Sequence, residues 1–189
     1  GQDHLGAVVG RWDDDMPPDL ADLLAAVEAA GAVEPRLDTD NVGVMGGSYG
    51  GLMTLRVAAA DSRYRSAVAE RGLDSWSSFA GSSDIGMWFG KAYLGFGVHE
   101  DPMRTWWSGP LAHADKVDTP MLVLHSEGDW RTPIEQGEQL FAALKHAGVA
   151  TEMVRFPAGE GHELSRSGKP KHRQERFEII LEWHDRHMR

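Results

Sequence analysis

The sequence is 189 residues long, which suits one globular domain, and its 41% hydrophobic and 25% charged residues are typical of such a domain. Its 19 basic and 29 acidic residues give a net charge of −10, which argues against a nucleic-acid partner because an acidic surface repels phosphate. Because Cys is absent, disulfides, thiolate nucleophiles and cysteine-ligated zinc are excluded, and no apolar run reaches the roughly 20 residues that span a membrane.

Strands and helices are predicted to alternate along the chain. In chain order they are a helix over 20–30 that Gly31 ends, a strand over 41–46, a helix over 52–60, a strand over 67–69, a strand over 121–124, a helix over 134–146, a strand over 151–156 and a helix over 173–187. The stretch 71–116 is interpreted as a long loop region rich in Gly, Ser and Trp. Such alternation predicts an α/β fold with a mostly parallel sheet and helices on both faces.

The most informative motif is a Gly-x-Ser-x-Gly pattern with Ser48 at its centre, between Gly46 and Gly50. The bare pattern also occurs in flexible turns whose Ser caps a helix, so its context decides the interpretation. Here it lies between a predicted strand and a predicted helix, where a sharp turn would expose the Ser48 hydroxyl. The same turn would aim the backbone N–H of Tyr49 at a developing oxyanion.

A serine nucleophile needs a base and a third group that orients the base, and two residues fit these roles. Asp129 follows the strand over 121–124, and His162 follows the strand over 151–156. The carboxyl ends of parallel strands converge on the active site, and the order Ser, acid, His is that of α/β-hydrolases. Glu127 is an alternative acid, and His125 is interpreted as a partly buried structural residue.

A metal site is considered only for His184 and His187, which lie three residues apart on the last predicted helix. A solvated helix face explains this pair better, and the sequence contains no His-Glu-x-x-His motif. We therefore expect neither a metal nor a cofactor.

Taken together, these motifs resemble the prolyl oligopeptidase family of serine peptidases, and its acylaminoacyl-peptidase branch in particular. The matching segments are Gly46-Gly-Ser-Tyr-Gly-Gly51, Ser108-Gly-Pro-Leu-Ala112, Asp129-Trp-Arg-Thr-Pro133 and Gly161-His162-Glu. The resemblance implies an α/β-hydrolase fold and hydrolysis of short peptides. It also implies that Ser48 is the nucleophile, His162 the base and Asp129 its partner, with Tyr49 supplying one oxyanion N–H.

The resemblance further implies parts that this sequence does not contain. Family members carry an N-terminal β-propeller and the first strands of the hydrolase domain, including the second oxyanion donor. Residues 1–189 are therefore expected to be the C-terminal portion of a catalytic domain, with that N-terminal remainder as a partner. We expect a short peptide as the other partner, no nucleic acid or membrane, and a cytoplasmic location. The sequence leaves assembly into a homo-oligomer open.

Aromatic residues of the region 71–116 are predicted to line an apolar pocket for the side chain that precedes the scissile bond. They are Trp76, Phe79, Trp88 and Phe89. For Trp88 and Phe89, packing of the loop against the core is an equal alternative.

Two arginines are candidates for binding the C-terminal carboxylate of a peptide. Arg71 directly follows a predicted strand, and Arg131 follows the proposed acid. A guanidinium can hold a carboxylate with two parallel hydrogen bonds, which would favour very short or carboxypeptidase-like substrates. The alternative for Arg71 is an ion pair with Glu70 or Asp74.

Two other functions fit the same sequence. An esterase would use the same triad on a different acyl group, because one fold can support several chemistries. A catalytically silent interaction module would keep the fold alone, although the intact Ser48, Asp129 and His162 argue against it.

Overall fold

Four parallel strands form one sheet, in the spatial order β1-β2-β3-β4. The structure is a computed structural model. It describes residues 1–188, and their side chains except those of residues 4 and 5. The strands are β1 (Val42–Gly47), β2 (Tyr64–Glu70), β3 (Met121–Ser126) and β4 (Thr151–Phe156). All four predicted strands are confirmed, and their carboxyl ends lie at the same edge of the sheet because the pairing is parallel throughout.

Helices connect the strands and cover the sheet. They are α1 (Gln2–Gly6), α2 (Pro18–Val33), α3 (Tyr49–Ala60), α4 (Trp76–Ser82), α5 (Gly86–Leu94), α6 (Pro102–Ser108), a 3₁₀ helix (Pro110–Lys116), α7 (Ile134–His146), α8 (Leu164–Ser167) and α9 (Pro170–His187). The helix over 20–30 is longer than predicted, because Gly31 lies inside α2 and the chain leaves the helix only at Glu34.

Helices cover both faces of the sheet, because successive side chains of a strand point to opposite faces and the apolar ones on each face need a partner. In β3, Met121 packs in one buried cluster with Leu55 of α3 and Leu140 of α7. Its neighbour Leu122 belongs to a different cluster, with Ile180 of α9. The predicted α/β fold, with a parallel sheet between two helical layers, is thereby confirmed.

The prediction of a loop over 71–116 is wrong, because three α-helices and the 3₁₀ helix occupy most of this stretch. Helices α4, α5 and α6 have only 7, 9 and 7 residues, too short for a clear hydrophobic period. They are held by burial instead: Trp76, Phe79 and Leu94 are almost inaccessible and share one cluster with Trp12. Tertiary packing thus determines helices that local sequence does not indicate.

Among residues 1–188, no helix is both long enough and apolar enough to cross a bilayer.

Candidate active site

Ser48 lies at a sharp turn between β1 and α3. Its φ is 64°, a positive value that is uncommon in proteins for residues other than glycine. Its backbone N–H donates to the carbonyl of Glu70 in the next strand over 3.0 Å. The flanking glycines are required by contact: a Cβ on Gly46 would lie 2.3 Å from the Gly50 carbonyl oxygen, and one on Gly51 would lie 2.5 Å from that of Glu70. The strained turn holds the Ser48 side chain at the carboxyl end of the sheet.

Ser48, His162 and Asp129 form a continuous chain of hydrogen bonds. The Ser48 hydroxyl lies 3.0 Å from His162 Nε2, and His162 Nδ1 lies 2.8 Å from Asp129 Oδ2. An ionised carboxylate only accepts, so the imidazole carries its proton on Nδ1 and leaves Nε2 free to accept from Ser48. The three residues come from the turn after β1 and the loops after β3 and β4, so the parallel sheet brings together residues far apart in sequence.

Asp129 is buried, and its carboxylate accepts several hydrogen bonds from its own loop. Oδ1 accepts the backbone N–H groups of Arg131 and Thr132, each over 2.9 Å. Burial alone would raise the pKa of Asp129, but the hydrogen bond from His162 and those from Thr132 outweigh it and hold the pKa below the usual 3.8. The carboxylate is therefore ionised at neutral pH, as a partner for an imidazolium must be.

Tyr49 is the first residue of α3, so its backbone N–H has no acceptor within the helix. Its phenol group donates to Asp19 of α2 and meets the edge of the Trp12 ring at 5.7 Å between centroids. Burial, reinforced by the Asp19 carboxylate, raises the pKa of Tyr49 well above its usual value. The phenol is thus held as a neutral group, and donation by the backbone N–H to a substrate stays a prediction.

An apolar cavity of about 140 Å³ lies beside Ser48. Its lining includes the predicted pocket residues Trp76, Phe79 and Phe89, and also Arg131. Trp88, in contrast, is 57% exposed and does not line the cavity; its ring meets the edge of Phe89.

Sequence reasoning missed other lining residues, namely Trp12, Leu52, Leu73, Ile85 and Thr132. The Trp12 ring meets that of Trp76 edge-on at 5.3 Å. Trp12 lies in a stretch without hydrophobic period, so only the folded chain connects it with the pocket. Thr132 belongs to the segment Asp129-Trp-Arg-Thr-Pro133, and its place three residues after Asp129 could have indicated that it lies near the site.

The two candidate arginines differ in where they lie relative to the cavity. The Arg71 guanidinium lies 3.7 Å from the Glu70 carboxylate and packs against Gly47, away from the cavity beside Ser48. Arg131 lines that cavity, and its guanidinium makes two hydrogen bonds to Asp84, over 2.7 and 3.2 Å. Their binding of a peptide carboxylate stays a prediction, with part of each guanidinium already facing an acid.

The alternative acid and the other histidines form hydrogen bonds with groups other than Ser48 and His162. Glu127 is on the surface, where it pairs with Arg155 over 3.3 Å. His125 is buried, which lowers its pKa, and its Nε2–H donates to the carbonyl of Thr132 over 2.7 Å. His184 Nδ1 lies 3.0 Å from the Ser66 hydroxyl. In the described part of the chain, no three His, Asp or Glu side chains are grouped as metal ligands.

Comparison with known proteins gives consistent matches over the whole chain. The sequence profile of the prolyl oligopeptidase family matches residues 1–189. An uncharacterized peptidase of Bacillus subtilis, YuxL, is 43% identical over 188 residues, which are 100% of this chain and 28% of that protein. The chain therefore spans less than a third of the length of this relative.

Two solved structures have the same fold. Acylaminoacyl peptidase of Pyrococcus horikoshii has a TM-score of 0.92 and 29% identity, over 100% of this chain and 30% of its own. An acylaminoacyl peptidase in complex with Z-Gly-Gly-Phe-chloromethyl ketone has a TM-score of 0.89 and 30% identity, over 96% of this chain and 29% of its own. The four strands and their helices are thus part of an α/β-hydrolase domain.

Proposed function

Because this chain belongs to the prolyl oligopeptidase family, as the match over its whole length establishes, we propose that it performs serine-dependent hydrolysis of short peptides. The observation that supports this most strongly is the hydrogen-bonded chain from Ser48 through His162 to Asp129 beside an apolar cavity. A hydroxyl at 3.0 Å from an imidazole nitrogen is within reach for proton transfer.

In the proposed mechanism, Ser48 Oγ attacks the carbonyl carbon of the scissile bond as its proton passes to His162 Nε2. The negative charge moves to the carbonyl oxygen, where the Tyr49 N–H donates to it, while Asp129 stabilises the imidazolium. Collapse of the tetrahedral intermediate breaks the C–N bond, and His162 returns the proton to the leaving amine. Water, deprotonated by His162, then attacks the acyl-enzyme, and the acid product and free Ser48 are released.

The cavity beside Ser48 is proposed to receive the side chain that precedes the scissile bond. Its walls are mainly rings and aliphatic chains, so binding is driven by removal of apolar surface from water. The related acylaminoacyl peptidase in complex with Z-Gly-Gly-Phe-chloromethyl ketone supports this assignment, because that compound ends in a phenylalanine residue. We therefore propose peptides with a large apolar residue at this position as the substrate class.

This assignment predicts that kcat/KM rises by about 10–100-fold from alanine to leucine in a series of acyl-amino-acid anilides, and is high for phenylalanine. In Phe89→Ala, the preference for phenylalanine should fall by about tenfold, because one cavity wall is removed. Trp88→Ala removes an exposed ring in the same helix, so it should change each kcat/KM value of the series by less than about twofold. A flat series in the wild-type protein would contradict an apolar pocket.

The remainder of the active site is proposed to come from the same longer polypeptide. Relatives are more than three times the length of this chain, which leaves room for the propeller and first hydrolase strands expected from the family. In the described residues the outer edge of β1 pairs with no other strand. An unpaired edge is a site for further strand pairing, so we propose that the preceding strands add there and bring the second oxyanion donor.

A pair of chromogenic substrates tests the proposed activity in the full-length protein. An acyl-phenylalanine anilide and a short-chain p-nitrophenyl ester are compared by kcat/KM. We expect hydrolysis of both, with the anilide reaction lost in Ser48→Ala. Hydrolysis of the ester alone would favour the esterase hypothesis. Hydrolysis of neither substrate would favour a catalytically silent interaction module.

A further inference from the structure

The Thr132 hydroxyl lies close to both His162 and Asp129, the proposed base and its acid partner. Its Oγ1 lies 3.1 Å from Asp129 Oδ2 and 3.2 Å from His162 Nδ1. A third neighbour is the Arg71 carbonyl oxygen, 3.0 Å away. No role for this residue follows from the nucleophile, base and acid alone.

The Thr132 backbone is fixed independently of its hydroxyl. Its N–H donates to Asp129 Oδ1 over 2.9 Å, and its carbonyl accepts the Nε2–H of His125 over 2.7 Å. The residue is only 3% exposed, so its hydroxyl is bonded mainly to protein groups. The hydroxyl is therefore held at the Asp129–His162 contact, and its orientation is limited to rotation about one bond.

A hydroxyl has one hydrogen, and three neighbours compete for it here. His162 Nδ1 does not accept it, because that nitrogen donates its own hydrogen to Asp129 over 2.8 Å. Two acceptors remain, namely the Asp129 carboxylate and the Arg71 carbonyl. A charged acceptor forms the stronger hydrogen bond, so the hydroxyl donates to Asp129 while the imidazole is neutral.

We propose, on the basis of the function proposed above, that Thr132 is a positioning residue whose hydroxyl holds Asp129 Oδ2 in line with His162 Nδ1. The same hydrogen bond keeps Oδ2 in place when the imidazole takes the Ser48 proton. The carboxylate then meets the imidazolium in the geometry already set in the resting state.

The other titratable groups near His162 keep their side chains when Thr132 is replaced. They are Asp84 after α4, Asp129 after β3, His125 of β3 and Glu163 next to His162. A change that follows removal of the hydroxyl therefore reports on its contact with Asp129.

The test compares three variants of the full-length protein. Thr132→Val removes the hydroxyl and keeps the side-chain shape, and Thr132→Ser keeps the hydroxyl. Thr119→Val is the matched control, because Thr119 is also 3% exposed and its hydroxyl donates to the Tyr64 carbonyl over 3.0 Å, just before β3 at the amino end of the strands. The readouts are kcat, KM and the pH profile of kcat/KM for an acyl-amino-acid anilide.

In Thr132→Val, we expect kcat to fall by about tenfold with KM changed by less than about twofold. The acid limb of the profile should move to higher pH, because a carboxylate without the donor attracts a proton to the imidazole more strongly. Thr132→Ser should recover most of the loss, and Thr119→Val should match the wild type in all three readouts.

A Thr132→Val enzyme with wild-type kcat and pH profile would overturn the inference, as would an equal loss in Thr119→Val. Failure of the proposed function would be seen in a different result. In that case the wild-type protein would neither hydrolyse the anilide nor react with a serine-directed phosphonate.

Discussion

Asp129→Asn is expected to lower kcat by about 10⁴-fold without disrupting the fold. The reason lies in the hydrogen bonds around the carboxylate. Two backbone N–H groups donate to Oδ1, so the amide oxygen of the asparagine takes that place and its NH₂ group faces His162. An NH₂ group only donates, so the imidazole must move its proton to Nε2, where it can no longer accept from Ser48.

Glu127→Gln is the matched control for this prediction, since Glu127 lies in the same loop but points to the surface and Arg155. Its kcat for the anilide should stay within about twofold of wild type, as is usual for surface changes away from a site. Steady-state kinetics on both variants, with circular dichroism as the check on folding, measures the difference. A large loss in Glu127→Gln with an active Asp129→Asn would identify Glu127 as the acid.

Asp74→Asn is expected to stabilise the protein increasingly as the pH rises from 5 to 8. Asp74 is 1% exposed, and among residues 1–188 neither of its carboxylate oxygens has a hydrogen-bond partner. Burial raises its pKa from 3.8 to about 7. The folded protein therefore holds this proton where the unfolded chain has lost it, and stability is lost as the pH rises from about 4 to about 7.

Asparagine is neutral at every pH and does not incur this loss. The free energy of unfolding of Asp74→Asn, relative to wild type, should therefore grow by roughly 2–3 kcal/mol between pH 5 and pH 8. Urea denaturation followed by tryptophan fluorescence at both pH values measures it. Asp118→Asn, at an exposed position, is the control, and a relative stability of Asp74→Asn that is the same at pH 5 and 8 would contradict the prediction.

The sheet and the residues around Ser48 could be predicted because their signals are local. An apolar strand followed by small residues and Ser48 specifies a turn. Asp129 follows a short apolar run, and His162 follows a stretch that alternates like a strand. Parallel pairing then places these positions at one edge of the sheet. Chain order, spacing and placement at strand ends were together sufficient to group the three residues.

The cavity walls could be predicted only in part, because they depend on contacts between distant segments. Helix α5 is short, and its hydrophobic pattern does not show that Phe89 faces the cavity while Trp88 faces solvent. Trp12 reaches the cavity from about 60 residues earlier in the chain, through its ring contact with Trp76. The Arg131–Asp84 pair likewise joins two loops whose proximity only the fold creates.

Covalent labelling with a fluorophosphonate tests most directly whether Ser48 is an activated nucleophile. Attack by Ser48 Oγ on phosphorus expels fluoride and leaves a stable phosphonyl ester, which intact-mass analysis and peptide mapping of the full-length protein detect. We expect one label per chain, on Ser48, and none in Ser48→Ala or in His162→Ala over the same time. Labelling that persists in Ser48→Ala, or that maps to another serine, would contradict the proposed active site.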